Sequence, residues 1–297
     1  MQLEPHHYSG NPFDLEDDNA YQAWKEAKLK DYPDRAEDLV VEIGDPRELG
    51  PAECQALLER CAKTNMAVYI GTTGGDPDKL IPATLGARLG LRHLDRNMGA
   101  DDDGITALRV VEGQWRTRYI PYTDRPIHWH TDGYYNTLDR QIHALLLHCV
   151  RPAARGGENA LLDPEIAYIR LRDADPGHIA ALMAPDAMTI PANVEGDSIL
   201  RPARTGPVFS LTADGRLHMR YTARTHNIEW KDDAETRAAV AALERLLASD
   251  DPFVYRLTLQ PGWGLVSNNV LHDRSGFEDE ARRPRLLYRL RYFDRIT

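Results

Sequence analysis

The sequence has 297 residues, 42% of them hydrophobic and 28% charged, which is enough apolar material for a packed core and argues against wholesale disorder. Its 36 basic residues against 46 acidic ones leave a net charge of −10, so nucleic acid and anionic lipid are disfavoured as partners unless a local patch reverses the field, and no such patch is visible. The longest apolar run, Ala238 to Leu243, falls far short of the roughly 18 to 20 residues that span a bilayer.

The opening Met1-Gln2-Leu3-Glu4-Pro5-His6-His7 has none of the basic, apolar and small-residue pattern of a secretory signal. Cys54, Cys61 and Cys149 are an odd number without C-x-x-C spacing and read as free thiols. The expectation is a cytoplasmic protein.

In chain order, residues 17–30 carry helical spacing of Tyr21, Trp24, Ala27 and Leu29 and stop before Pro33. Leu39 to Ile43 read as a strand, Pro51 to Lys63 as a helix with proline in its first turn, Met66 to Ile70 as a strand and Pro77 to Leu89 as a helix. From Ile105 onward the pattern turns to strands: Thr106 to Val111, Trp115 to Ile120, Ile127 to Asp132, Ile142 to Val150, Phe253 to Leu259 and Leu286 to Phe293. Helices at Asp163 to Arg172 and Asp232 to Ala248 fall between them as decorations of a barrel or sandwich. Gly71 to Pro77, Asn97 to Gly104 and Pro185 to Thr205 read as loops, the last long enough for a lid or binding loop. The fold class is thus mixed α/β with a β-rich core. We expect one catalytic domain over 1–297, with an α/β preamble to 104, a core from 105 and insertions around 163–250.

The chemistry concentrates at His128-Trp129-His130-Thr131-Asp132-Gly133. Alternate residues of a strand share a face about 6.6 Å apart, so three of them span roughly 13 Å, too far for one ion with bonds of about 2.1 Å. At most one neighbouring pair, His130 with Asp132 or His128 with His130, serves a metal while the strand stays extended. The missing ligand must come from far away, and His272, in Ser267-Asn268-Asn269-Val270-Leu271-His272-Asp273-Arg274, is the best placed. Two imidazoles and a carboxylate suit non-haem Fe(II), though zinc tolerates the same set. Iron gains support from Arg285-Leu286-Leu287-Tyr288-Arg289. Arg285 and Arg289 share a strand face, and their planar guanidinium forks suit a dicarboxylate.

With Gly156-Gly157-Glu158-Asn159 and Val270 to Phe277, these segments occur in an order that resembles the taurine-dioxygenase-like (TauD/TfdA) branch of Fe(II)/2-oxoglutarate-dependent oxygenases, from about Ile105 to the C-terminus. The resemblance implies a double-stranded β-helix, a jelly roll of the clavaminate synthase-like, cupin type. It implies His130, Asp132 and His272 as iron ligands and Arg285 as partner of the distal carboxylate of 2-oxoglutarate. Arg289 falls nearby, toward substrate or cosubstrate, and Asn159 stands where many relatives place a threonine on that carboxylate. The cofactors implied are Fe(II), 2-oxoglutarate as cosubstrate and O2. The reaction implied is hydroxylation, or another oxidative outcome, of a small molecule, with release of succinate and CO2. Asp132 disfavours halogenation, because related halogenases carry a small residue there.

Two rivals were weighed. A zinc hydrolase built on His128, His130 and Asp132 lacks the histidine that should follow the aspartate, since Gly133 stands there. A non-catalytic jelly-roll binding module should have lost part of the triad or the arginines. The substrate is expected to be a small anionic or amino-acid-like molecule, from Arg220, Arg224 and Arg289, with no nucleic-acid or membrane partner. A homo-oligomer is compatible with the sequence. His128 is expected to line the pocket or support the ligands, and His143 and His148 to be core histidines. His218 and His226 belong to a segment that fits a pocket lining and an exposed polar strand equally well.

Overall fold

The computed structural model describes residues 10–96, 100–111, 119–196, 198–224 and 228–297. Helix α1 (Asp18–Leu29) begins where the Asp17 carboxylate accepts the Ala20 N–H, a side-chain cap for a backbone donor that has no partner within the helix. Strand β1 (Val40–Glu42) leads to α2 (Pro51–Thr64), whose C-cap Asn65 takes a left-handed φ of 57° and turns the chain straight into β2 (Met66–Ile70). Helix α3 spans Leu80–Arg88, starting three residues later than expected from Pro77 because the Asp78 carboxylate holds the Leu80 N–H in a turn.

Next come β3 (Thr106–Leu108), β4 (Ile127–His130), β5 (Ala144–Arg151), β6 (Arg155–Gly156) and β7 (Asn159–Leu162). Helices α4 (Pro164–Ala174) and α5 (Pro176–Met183) both open on Asp-Pro: the aspartate accepts an N–H two residues on, and proline takes the first-turn position where its missing donor costs nothing. The segment read as a loop from Pro185 to Thr205 is instead four short strands, β8 (Met188–Ile190), β9 (Asn193–Glu195), β10 (Ser198–Arg201) and β11 (Arg204–Gly206). Their pairing, β9 with β10 and β8 with β11, satisfies backbone groups that a bare loop would leave to water. The chain closes with β12 (Phe209–Leu211), β13 (Leu217–Met219), β14 (Glu229–Trp230), α6 (Ala234–Leu247), β15 (Tyr255–Leu257), β16 (Trp263–Ser267), β17 (Leu271–Arg274), β18 (Phe277–Glu278) and β19 (Leu286–Tyr292). Of the strand expected at Trp115 to Ile120, residues 115–118 lie outside the described residues and Ile120 opens a 3-10 turn; His226 also lies outside them.

Two sheets form the frame, one in the order β1-β2-β16-β5-β19-β3 and the other β15-β7-β17-β4. The preamble therefore contributes β1 and β2 to the same sheet as the C-terminal β19. Period-two alternation sorts the large sheet's faces. Leu145, Leu147, Cys149, Leu265 and Leu287 join Leu161 and Leu271 of the small sheet in one core, whereas Ala144, Leu146, Val266, Tyr288 and Leu290 pack under Leu57 of α2 and Leu85 of α3. Among the described residues no helix is long and apolar enough to cross a membrane.

Candidate metal centre

Strand β4 ends at His130, and β17 lies beside it with His272 directly across. Directly opposed residues of an antiparallel pair send their side chains to the same face, so the two rings come to 4.2 Å between centroids. Asp132 lies two residues beyond the strand end, which removes the spacing problem that an extended His-x-Asp poses. Its carboxylate therefore joins the two imidazoles, and one ligand atom from each of His130, Asp132 and His272 falls within 4.8 Å of the others. The turn depends on Gly133 at φ +70°, where an added Cβ would stand 2.4 Å from the Ile142 side chain.

Asn269 fixes that turn from a position 137 residues downstream. Its side-chain oxygen accepts the Asp132 N–H at 2.8 Å, and its amide donates to the carbonyls of Asp132 (2.9 Å) and Ile142 (2.7 Å). The motif was visible in the sequence only as a polar turn; a left-handed φ of 53° at Asn269 is what aims the amide.

Nδ1 of His130 lies 2.9 Å from the His128 carbonyl, and Nδ1 of His272 lies 2.9 Å from the Val270 carbonyl. A carbonyl only accepts, so each Nδ1 carries the proton and each Nε2 keeps its lone pair for a metal. Burial, and then the like charge of His272, push His130 down to about 3, so it is a neutral ligand at any ordinary pH. Burial alone would raise the Asp132 carboxyl, yet Arg289 and Arg291 outweigh it and hold the group below the usual carboxylate range. Oδ1 of Asp132 accepts from Arg289 at 3.2 Å, while Oδ2 is buried with no hydrogen-bond partner in the protein. A buried carboxylate oxygen without a donor, beside two imidazole lone pairs, fits a divalent cation.

His128 is exposed, and its backbone rather than its ring supports the site. Of the other histidines, His148 is fully buried against the Tyr69 hydroxyl, and His218 is buried with its ring 4.9 Å from that of His143. The segment around Arg220 is no exposed strand, because His218, Arg220, Tyr221 and Thr222 are all buried. Trp129 points away from the metal and donates to the Leu247 carbonyl of α6.

Arg285, just before β19, alternates with Leu287, Arg289 and Arg291 of that strand. Arg289 meets Asp132 as above. Arg291, which the sequence reading passed over although it continues the same alternation, is 2% exposed; it pairs with Asp95, donates to the Tyr135 hydroxyl at 2.8 Å and lies 3.9 Å from Asp132. Arg285 occupies a separate pocket with Asn159, Gly157, Thr258, Leu259 and Leu287. It is 4% exposed, stacks on Phe277 at 5.1 Å and keeps Nη1 buried without a partner. Asn159 donates to the Asp273 carbonyl at 2.9 Å, and the Asp273 carboxylate accepts the Ala160 N–H, giving Asp273 a structural role in joining β17 to β7.

Comparison with known proteins bears on this geometry. Residues 33–291 match the family model of taurine catabolism dioxygenase TauD, TfdA family. A uridine-5'-phosphate dioxygenase from Amycolatopsis sp is 35% identical over 170 residues, 55% of this chain and 60% of that protein, so the match leaves out about two-fifths of that relative's length. A second uridine-5'-phosphate dioxygenase, from Streptomyces sp, is 36% identical over 194 residues, 64% of this chain and 69% of that one. Among solved structures, the non-haem iron oxygenase OrfP in complex with Fe and alpha-ketoglutaric acid superposes with a TM-score of 0.61 at 18% identity, over 86% of this chain and 83% of that one. Asparagine oxygenase in complex with Fe(II), hydroxyasparagine and succinate gives 0.57 at 16% identity over 97% and 86%; both show likeness of fold. The chain belongs to the TauD/TfdA dioxygenase family and has its mixed α/β, β-rich fold.

Proposed function

We propose that this protein is an Fe(II)- and 2-oxoglutarate-dependent oxygenase that hydroxylates a small anionic molecule, with a nucleoside 5'-phosphate as the first substrate to test. The observation that carries the reading is the convergence of His130, Asp132 and His272, with Asp132 Oδ2 and two Nε2 lone pairs free, together with the buried Arg285 guanidinium, whose Nη1 has no partner in the protein. His130, Asp132 and His272 would hold the metal, which leaves open positions for cosubstrate and O2 and, when bound, supplies the oxidation of an unactivated C–H bond. Arg285 would grip the distal carboxylate of 2-oxoglutarate through its fork, with the Asn159 amide beside it in the pocket.

The same reading gives roles to the remaining parts. Arg289 occupies one oxygen of Asp132 and so presents the other to the metal. The uncharged apolar walls at Leu259 and Leu287 keep water from the cosubstrate. Support for a phosphate-bearing substrate comes from the names of the two relatives above 30% identity. Because β1 and β2 complete the large sheet, residues 1–297 act in this reading as one catalytic unit. The acidic charge and the three free cysteines favour a cytoplasmic enzyme without nucleic-acid or membrane partners.

Anaerobic addition of Fe(II) and then 2-oxoglutarate should produce a weak visible charge-transfer band that zinc does not reproduce, and that His272→Ala loses. Folded wild-type protein that gives no band would end this reading. Succinate release stimulated by uridine 5'-monophosphate would support the substrate class.

A further inference from the structure

Beyond the metal edge, the chain continues from β13 alongside β4. Thr131 donates its N–H to the Tyr221 carbonyl, Ala223 donates to the Trp129 carbonyl, and Thr222 bridges His130. That bridge sets Thr222 across from His130, and alternation puts the Arg220 side chain on the same side of its segment as Thr222. Arg220 is 3% exposed. Its Nη2 donates to the carbonyls of Met188 (2.8 Å) and Gly206 (3.4 Å), but Nε and Nη1 are buried without any partner. Burial pushes Arg220 down to about 10, with no carboxylate acting to raise it.

A second arginine faces the same point. Arg204 and Gly206 are alternate residues of β11 and share a face. A Cβ added to Gly206 would stand 3.2 Å from Nη1 of Arg220 and 3.2 Å from the Leu138 side chain, so this face of β11 is the one turned toward Arg220. Nε of Arg204 is also buried and unpartnered. Asp139 feels Arg204 as the weakest of its influences, from beyond ion-pair range. Among the described residues neither Arg204 nor Arg220 forms an ion pair with a carboxylate, unlike Arg289 and Arg291.

A buried cation, Arg220, beside a half-buried one, Arg204, each left by the chain with free N–H groups, is costly unless an anion completes the pair. Resting on the oxygenase reading above, we infer that Arg204 and Arg220, with Leu138 as cover, form the site for the phosphate of a phosphomonoester substrate, which directs the remainder of the molecule toward His130 and Asp132. The free N–H groups of the two guanidiniums suit the acceptor oxygens of a phosphate, and the missing side chain at Gly206 lets Arg220 approach the β11 backbone.

The test is equilibrium binding of uridine 5'-monophosphate, uridine and inorganic phosphate to the metal-free protein. Wild type should bind the nucleotide at least tenfold more tightly than uridine, with inorganic phosphate competing. Arg220→Met and Arg204→Ala should each weaken the nucleotide at least tenfold, toward the uridine value, while uridine affinity stays unchanged; Arg220→Lys should recover part of the loss. Wild type that does not distinguish nucleotide from nucleoside overturns the site, as does an unaltered nucleotide affinity in the variants. If Arg220→Met does not fold, the half-buried Arg204→Ala decides alone. Because metal is absent from this measurement, failure of the charge-transfer band would count against the oxygenase reading without deciding the phosphate site.

Discussion

The metal edge and the buried arginines Arg285 and Arg220 treat charge in opposite ways. At the edge, Asp132 meets Arg289, and Arg291 meets Asp95 and Tyr135, so charge is balanced within the chain. By contrast, Arg285 and Arg220 form no ion pair among the described residues and keep guanidinium N–H groups buried with no protein acceptor. A buried charge that the protein pairs internally holds its neighbours in place; one left unpaired marks where a ligand must supply the counter-charge.

Removing an unpaired cation should therefore strike ligand affinity, and removing a paired positioning group should strike the scaffold. The largest effect is expected from Arg285→Ala, which should weaken 2-oxoglutarate by about 2–5 kcal/mol while leaving Fe(II) affinity as it was. Anaerobic titration of both ligands checks this, and an unchanged 2-oxoglutarate affinity would show that the clamp lies elsewhere. On the scaffold side, Asn269→Gly keeps the left-handed backbone but strips three hydrogen bonds from the Asp132 turn. It should lower unfolding stability by about 1–3 kcal/mol. Fe(II) affinity should fall about tenfold. Denaturant melts with and without metal separate the two effects.

A third expected effect, independent of any ligand, is a pH slope in the metal-free protein. Burial pushes His148 down to about 4, and burial together with His143 pushes His218 down to about 3. Both values lie below that of an unfolded histidine, so between about pH 6.5 and 4 only the unfolded chain takes up these protons. The stability is present above that window and is lost as pH falls through it, by roughly 1.4 kcal/mol per unit for each histidine. Equal stability at pH 7 and pH 5 would mean that neither ring is as dry as the structure makes it.

Strong local patterns carried most of the fold. Helix α2 was legible from its early proline and helical spacing, and β5 and β19 from their runs of buried apolar residues. Strand β16 was not, although it is central to the large sheet. Its segment carries no assignment in the sequence, where glycines interrupt the apolar residues, yet Gly264 is required because an added Cβ would stand 2.3 Å from both the Leu147 carbonyl and the Tyr69 ring. The hairpins between 188 and 206 escaped for the opposite reason: Val194, Ile199 and Leu200 face outward, so alternation does not separate a core face.

At the site, residue types named the ligands, but position could not be read. Asp132 joins His130 only because the strand stops between them, and the group that stops it, Asn269, shows no mark in the sequence beyond its polarity. Arg291 was hidden by the same logic, since nothing local distinguishes an arginine that pairs with Asp95 from one that waits for a ligand.

The cross-strand pairing of His130 with His272 joins segments that meet only once the small sheet has closed. Ferrous ion should then recognise the finished protein and ignore the unfolded chain, acting as a late fastener. Saturation at a hundred times its dissociation constant would raise the unfolding free energy by about 2.7 kcal/mol, so the melting temperature should climb with iron concentration and fall back under a chelator.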